Sequence, residues 1–399
     1  MTENYFLILK TGQSEMRAFE NLTIGQKSCV SPLIELTRGR KNHPATIKKT
    51  GVQYNFQKVT DFIDAEGSLA ERCMIDVTRE PTLASPDTDY LKNFQNGYEN
   101  WVDFVRRRHE VNPNICPVLQ INPPDHQSWD DYQISVERQF DELSKFCSAI
   151  AYRAVTKNDA SFDIDLQILS ERIESFTKAG NLFYFVLDYD YIRPGTGDLH
   201  AIEAVQVLNV VSDICPQCVT ILVSTSFPQS VTDISGPDYG DFNQEEVSFH
   251  ATTANILHNR IKVAYGDYGS INPIRNDAAG GGNGWRPRID YPYGGTRLFY
   301  YREKRLSHGK GKDKKFITTY SSHYVSVAKN IIADSKFSHD INSKDPSSWG
   351  VGAIKLAANN QVPSAHPSFW ISVRMNIHIQ QQLRRLGREP RTDSEVAFG

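Results

Sequence analysis

No run of the 399-residue sequence approaches the roughly 18 consecutive apolar residues of a membrane-spanning helix, so no helical span is expected. The opening segment MTENYFLILK has no basic stretch ahead of a long apolar core, so no secretory signal is expected either. An excess of one charge is also missing. Lys+Arg number 44 and Asp+Glu 47, a formal net charge of -3. That balance excludes a general attraction to polyanions or membrane, and leaves such partners to a local patch. Cysteine is sparse: Cys29, Cys73, Cys116, Cys147, Cys215 and Cys218. Without an export signal these are expected as reduced thiols in a cytoplasmic protein. Cys215-Pro-Gln-Cys218 has no second pair to complete a zinc site. It falls between a helix end and a strand start, not at a helix N-terminus that would activate a thiol, so its expected role is structural. Walker A and G-x-S-x-G motifs are absent, and no G-x-G-x-x-G follows the first strand.

What is present is a rhythm. Apolar runs at 5–10, 29–36, 72–77, 116–121, 149–155, 183–189, 219–226 and 262–268 alternate with amphipathic helical patterns. Runs apolar on both faces and joined by helices imply a parallel sheet covered by helices. Eight such units predict a (β/α)8 TIM-like barrel over 1–270. The alternative is an open doubly wound sheet. Beyond 270 the texture changes. A glycine-rich loop AAGGGNGW precedes TRLFYYREKRL and DKKFITTYSS, which a basic turn separates. These predict a C-terminal α+β extension over 271–390 containing a basic β-hairpin, with helices near 323–334, 349–358 and 370–386. A disordered tail is expected over 391–399.

Active sites of such barrels lie at the C-terminal strand ends. The predicted ends carry Lys10, Glu35, Asp76, Gln120, Arg153, Asp188 with Asp190, Ser224, and Asp267 with Tyr268. A barrel interior favours branched apolar side chains, and a buried lone charge is costly. Convergence of Lys10, Glu35, Asp76, Arg153, Asp188 and Asp267 would build a charged cup with the makings of a catalytic site. Glu35, Asp76 and Asp188 are candidate ligands for Mg2+, with Lys10 and Arg153 gripping a phosphate. Alternatively, Lys10 forms a Schiff base with a carbonyl compound. Gln120, Asp190, Ser224, Tyr268, Arg286 and Arg288 are the candidate substrate-binding residues. The plainer alternative is that polarity simply returns at strand ends and the charges pair off. No histidine falls at a predicted strand end, which speaks against paired-histidine or zinc-hydrolase chemistry.

Residues 297–315 hold eight basic side chains, among them Arg297, Arg302, Lys304 and Arg305, against Glu303 and Asp313. Phe299, Tyr300, Tyr301 and Phe316 are interleaved. Cations alternating with aromatic platforms suit single-stranded nucleic acid. A solvated hairpin packed on the barrel is the competing account.

The opening YFLILK…VSPLIEL, with Tyr5, Ile8, Leu9, Lys10, Pro32, Leu33 and Glu35, resembles the start of the "beta protein" family of bacteria and phages; Leu7 stands where that pattern has proline. The segments GDYG (266–269) and FWISVRMNIHI, with Trp370, Asn376 and His378, are similar to it as well. The resemblance implies no assigned activity. It implies an association with mobile elements and antiviral defence. The expectation is an enzyme, a metal-dependent phosphodiesterase or hydrolase, acting on a nucleotide or nucleic acid in phage–host conflict. The competing class is a recognition module for a phage protein, nucleic acid or a defence-system effector, with no membrane partner.

Overall fold

The structure is a computed structural model describing residues 5–122, 127–156, 161–258, 260–274, 285–308 and 315–390. The expected tail at 391–399, most of the glycine-rich loop and most of the basic turn lie outside the described residues. In chain order the strands are β1 (Tyr5–Lys10), β2 (Val30–Leu36), β3 (Arg40–Lys41), β4 (Tyr54–Asn55) and β5 (Cys73–Val77). Next come β6 (Ile115–Pro117), β7 (Ala149–Val155), β8 (Leu182–Tyr191), β9 (Val219–Thr225) and β10 (Tyr239–Asn243). The last are β11 (Val263–Asp267), β12 (Arg288–Tyr293), β13 (Arg297–Arg302), β14 (Ser307–His308) and β15 (Lys315–Phe316).

Eight of these form one sheet in the order β6-β5-β2-β1-β11-β9-β8-β7. Every neighbouring pair is parallel. A parallel bridge between Val118 and Ala151 links the two edges. The sheet is therefore a nearly closed barrel, with helices between its strands. All eight expected runs are barrel strands.

The reason lies in the two faces of each run. Phe6, Ile8, Leu33, Met74, Val186 and Val223 pack together inside the barrel. Tyr5, Leu7, Leu9, Ile34, Ile75 and Leu187 point outward and pack under the helices. Burying an apolar side chain contributes about 1.5–3 kcal/mol, and these strands do so on both sides.

A second, antiparallel sheet has the order β10-β13-β12. The tight turn between β12 and β13 uses Gly294 and Gly295 at φ +59° and +71°, backbone angles that glycine adopts without a Cβ clash. β13 thus pairs with β12 and β10. The strand expected to pair with it, beyond the basic turn, contributes only the two-residue ladder of β14 with β15. β12 and β13 have enough alternating aromatic and apolar residues to bury one face, which 307–316 lacks. Ile289, Tyr291 and Phe299 pack with the helices Tyr320–Ala333, Trp349–Ala358 and Pro367–Arg385 in a separate core.

The helix Pro367–Arg385 lies between the two cores. Met375, Ile379 and Leu383, spaced by four, belong to the barrel side. Trp370, Val373 and Ile377 belong to the other. Proline opens this helix and Gly387, at φ +65°, follows its end. No helix among the described residues is long and apolar enough to cross a membrane.

Candidate ligand-binding site at the barrel mouth

Alternation along each strand decides which strand-end residues meet. Side chains two apart share a face, so Lys10 follows Phe6 and Ile8 inward, and Arg153 follows Ala149 and Ala151. Glu35, Asp76 and Asp188 do likewise. Arg153 becomes the centre. Its Nη1 donates to Glu35 Oε2 at 3.0 Å and Asp76 Oδ2 at 2.9 Å. Its Nε and Nη2 donate to Asp188 Oδ2 at 3.0 and 2.7 Å. Gln120 Nε2 donates to Asp76 Oδ1 at 3.0 Å, and Thr78 Oγ1 to Glu35 Oε1 at 2.8 Å. Lys10 Nζ lies 3.4 Å from Glu35 Oε1 and donates to Pro273 O at 2.7 Å. Arg153 is 3% exposed and Asp188 0%. The cup is a filled ionic plug.

Asp190 also reaches this plug. β8 bulges between Asp188 and Tyr191, and Asp190 has a left-handed φ of +54°. Its N–H donates to Asp188 Oδ1 at 2.8 Å. Tyr268 O–H donates to Asp188 Oδ2 at 2.6 Å and Asp190 Oδ1 at 3.1 Å. The two aspartates thus meet on one tyrosine, and Asp190 stays half-buried.

Electrostatics separate the carboxyls. Burial pushes Glu35 up, but Lys10, Arg153 and the Thr78 hydrogen bond outweigh it and hold its pKa at about 2. Burial and the neighbouring Asp190 charge push Asp188 up, only partly offset by Arg153. Burial lowers Arg153, but Asp188, Glu35 and Asp76 raise it well above its ordinary value. The three carboxylates proposed for Mg2+ surround a guanidinium, which takes the place a cation would need. Among the described residues no group of three or more His, Cys, Asp or Glu side chains is placed to hold a metal. The set does not fit a metal. Lys10 is tied to Pro273 and Glu35.

Asp267 and Ser224 do not join the cup. They are register neighbours on β11 and β9, and both point outward, one residue out of phase with inward-facing Tyr268 and Val223. Asp267 accepts hydrogen bonds from Tyr5 O–H at 2.6 Å, Tyr265 O–H at 2.8 Å and His378 Nε2 at 2.7 Å. His378 Nδ1 faces Ser270 Oγ at 2.7 Å and Gln244 Nε2 at 2.8 Å. The Gln244 amide donates to Nδ1, so Nε2 carries the proton given to Asp267. Burial raises Asp267, but His378 outweighs it and lowers its pKa. This serine–histidine–aspartate chain is fully buried, and Gln244 Nε2 also contacts the serine Oγ at 2.7 Å. It clamps the helix Pro367–Arg385 to the barrel.

Among the described residues, the basic side chains of 285–305 are largely tied down. Arg297 binds Asp241, Asn243 and the Tyr293 hydroxyl. Arg305 is sandwiched 4.0 Å from both the Phe316 and Tyr320 rings and donates to Thr318 O. Arg286 pairs with Asp238. Arg302 is half-buried, and burial with the Arg286 and Arg288 charges lowers its pKa. Lys304 is exposed. Cys215 and Cys218 are free thiols at the end of the helix Gly197–Ile214 and before β9.

The open space lies beside the plug. A cavity of about 970 Å3 is lined from the loops after β1, β2, β9 and β11, from β12, and from the helix Pro367–Arg385. Its cations are Arg17, Arg38, Arg40, Lys41, Lys58, Arg288 and Arg374; its acids are Glu15, Glu20, Asp61 and Glu66. Glu66 is already paired with Lys27 at 2.7 Å. The surplus is positive in a chain that is negative overall. Asn272 and Ile274 line the cavity and flank Pro273, whose carbonyl holds Lys10, so plug and cavity adjoin. Of the strand-end and loop residues expected to bind substrate, only Arg288 lines this space. Arg17, Arg38 and Arg374 come from distant segments; a surplus of cations after β2 hints at Arg38 in sequence, and no charge pattern marks Arg17 or Arg374.

A sequence model of the family described as Beta protein matches residues 5–384. Protein beta of Enterobacteria phage P4 is 27% identical over 383 residues, 95% of this chain and 93% of that protein.

Proposed function

We propose that this chain, which belongs to the Beta protein family, acts by binding a phosphate-bearing ligand of nucleotide size at the mouth of a TIM-like barrel. The observation that carries the reading is the cation-rich cavity beside the ionic plug. Its volume of about 970 Å3 falls in the roughly 300–1,000 Å3 range of small-ligand pockets, too small for a duplex. The plug supports recognition over turnover. Glu35 and Asp76 are fixed on Arg153 and have neither solvent access nor a free coordination side. In this reading they form a rigid floor. The phage origin of the relative supports a role in phage–host conflict, where such a ligand would be a nucleotide or a short nucleic-acid fragment.

Isothermal titration of the full chain with nucleoside monophosphates and dinucleotides, at low and moderate salt, tests the reading. Binding that weakens as salt rises is expected. Absence of heat and of thermal stabilisation with every ligand overturns it.

A second reading, hydrolysis of that ligand, is favoured by one observation. Asp188, with its raised pKa, shares Tyr268 with the half-exposed Asp190, the arrangement of a carboxyl poised to exchange a proton. Product released from a dinucleotide by the wild type and lost in Asp190→Asn would establish it. No product from the wild type removes it.

A further inference from the structure

The loop after β2 carries a charge pattern that its own folding does not need. Between Leu36 and Thr60 stand six lysines and arginines and no aspartate or glutamate. Soluble surfaces ordinarily intersperse the two signs. The chain leaves the barrel here as a small arm. β3 pairs antiparallel with β4, Arg40 against Asn55 and Lys41 against Tyr54. Asn42 extends the ladder, its N–H donating to Gln53 O at 2.8 Å and its side-chain amide to Val52 O at 3.1 Å. The short helix Pro44–Thr50 joins the two strands and buries none of its side chains.

Local energetics explain only part of this pattern. Lys48 and Lys49 occupy the last helical turn, where the helix dipole favours a cation. The first turn, where the dipole favours an acid, holds none. Arg40, Lys41, Lys48 and Lys49 are exposed, and among the described residues no ion pair joins any of them to an acid. The base of the arm faces the cavity, which Arg38, Arg40, Lys41 and Tyr54 line. The Arg38 guanidinium lies 4.8 Å over the Tyr54 ring, and such a flat pair is the kind of platform on which nucleic-acid bases stack. The acids of the cavity, Glu15, Glu20, Asp61 and Glu66, belong to the helices Gln13–Glu20 and Gln57–Glu66, not to the arm.

We infer that residues 40–55 form a binding arm for single-stranded nucleic acid, continuing outward the path of a strand whose end nucleotide sits in the cavity. The inference rests on the proposed phosphate-ligand reading and extends its ligand from a nucleotide to a strand. A single strand suits a narrow row of cations beside an aromatic platform, because each of its bases offers a face to stack. A duplex hides those faces.

The test is calorimetry on the full chain with dithymidylate and hexathymidylate. It compares wild type, the pair Lys48→Ala with Lys49→Ala, and the pair Lys48→Arg with Lys49→Arg. Both lysines are exposed and lie outside the cavity lining, and alanine is a strong helix former, so the neutral pair keeps the fold and the cavity. Counting registers alone favours the hexamer by at most about fivefold. Wild type is expected to prefer it by about thirtyfold or more at low salt. Its log K should fall more steeply with log salt, by about 0.7 for each added phosphate contact. The alanine pair should bring the preference to about fivefold or below and flatten that salt dependence, while the arginine pair should keep both. A wild-type preference of about fivefold or less overturns the arm and leaves the cavity reading intact. A preference that survives in the alanine pair, or is lost in the arginine pair, overturns it as well. So does a hairpin duplex that competes as well as the hexamer, which would mark a general polyanion surface. Binding of neither oligonucleotide overturns both readings.

Discussion

Arg153 holds three carboxylates in a space almost free of water, and that ratio sets what substitutions there should do. Removing one partner of a buried ion pair costs about 3–5 kcal/mol, because the other charge is left unpaired. Arg153→Met strands Glu35, Asp76 and Asp188 together. It should lower stability by at least that amount in urea unfolding at pH 7. Glu35→Gln should cost less, since Arg153 keeps two carboxylates. Glu35 has a folded pKa of about 2 against an ordinary 4.5. Its contribution is therefore full above pH 4.5 and is lost as pH falls toward 2, on the order of 3 kcal/mol. Asp188 is shifted the other way, so it favours the folded state more as pH falls below its raised pKa. Urea midpoints measured from pH 7 to pH 2.5 should show the acid-side loss shrink in Glu35→Gln and grow in Asp188→Asn. Sequence showed that these residues sit at strand ends. It could not show the side each one faces. Strands buried on both faces have no apolar–polar alternation, so nothing marked Tyr268 as inward and Asp267 as outward.

The helix Pro367–Arg385 is visible in sequence as a helix near 370–386. Its burial on nearly every side is not. Trp370, Arg374 and His378 fall on one helical face, yet each meets a different partner. Trp370 stacks on Tyr324 at 4.9 Å, Arg374 pairs with Asp290, and His378 with Asp267. Asn376 is the polar bolt in this packing. It donates to Ala18 O at 3.1 Å and Asn21 O at 3.3 Å, and accepts from Gly350 N at 3.1 Å. Helices cross closely at Gly350, where a Cβ would sit 2.7 Å from Ile377 Cγ1 and 2.8 Å from Val373 O. A backbone oxygen cannot swing aside. Gly350→Ala should destabilise by about 1–3 kcal/mol, read as a lower thermal midpoint. His378→Leu should cost more than Gly350→Ala, because it removes a hydrogen-bond donor from the buried Asp267 carboxylate and leaves Gln244 and Ser270 without their Nδ1 partner.

At the scale of the whole molecule, charge placement matters more than charge total. A formal −3 gives no hint of the positive cavity, because its cations come from Arg17 at one end of the chain to Arg374 at the other. Arg40→Glu and Lys58→Glu reverse exposed cavity charges and should leave the thermal midpoint within about 1 °C. Each should weaken nucleotide or dinucleotide binding by threefold or more at low salt, and the effect should fade as salt is raised. Unchanged affinity in both would place the ligand elsewhere. The sequence by itself determined a parallel sheet covered by helices, because runs apolar on both faces have to be buried on both; that the sheet closes into a barrel was decided by the tertiary structure. The sequence determined too that charge gathers where those strands end. Tertiary structure alone decided that Arg153 would tie the carboxylates of the cup together from within and that the open space would lie beside it. Inward phase, ring closure through Val118 and Ala151 and the return of a helix more than three hundred residues away are long-range events. No local pattern encodes them.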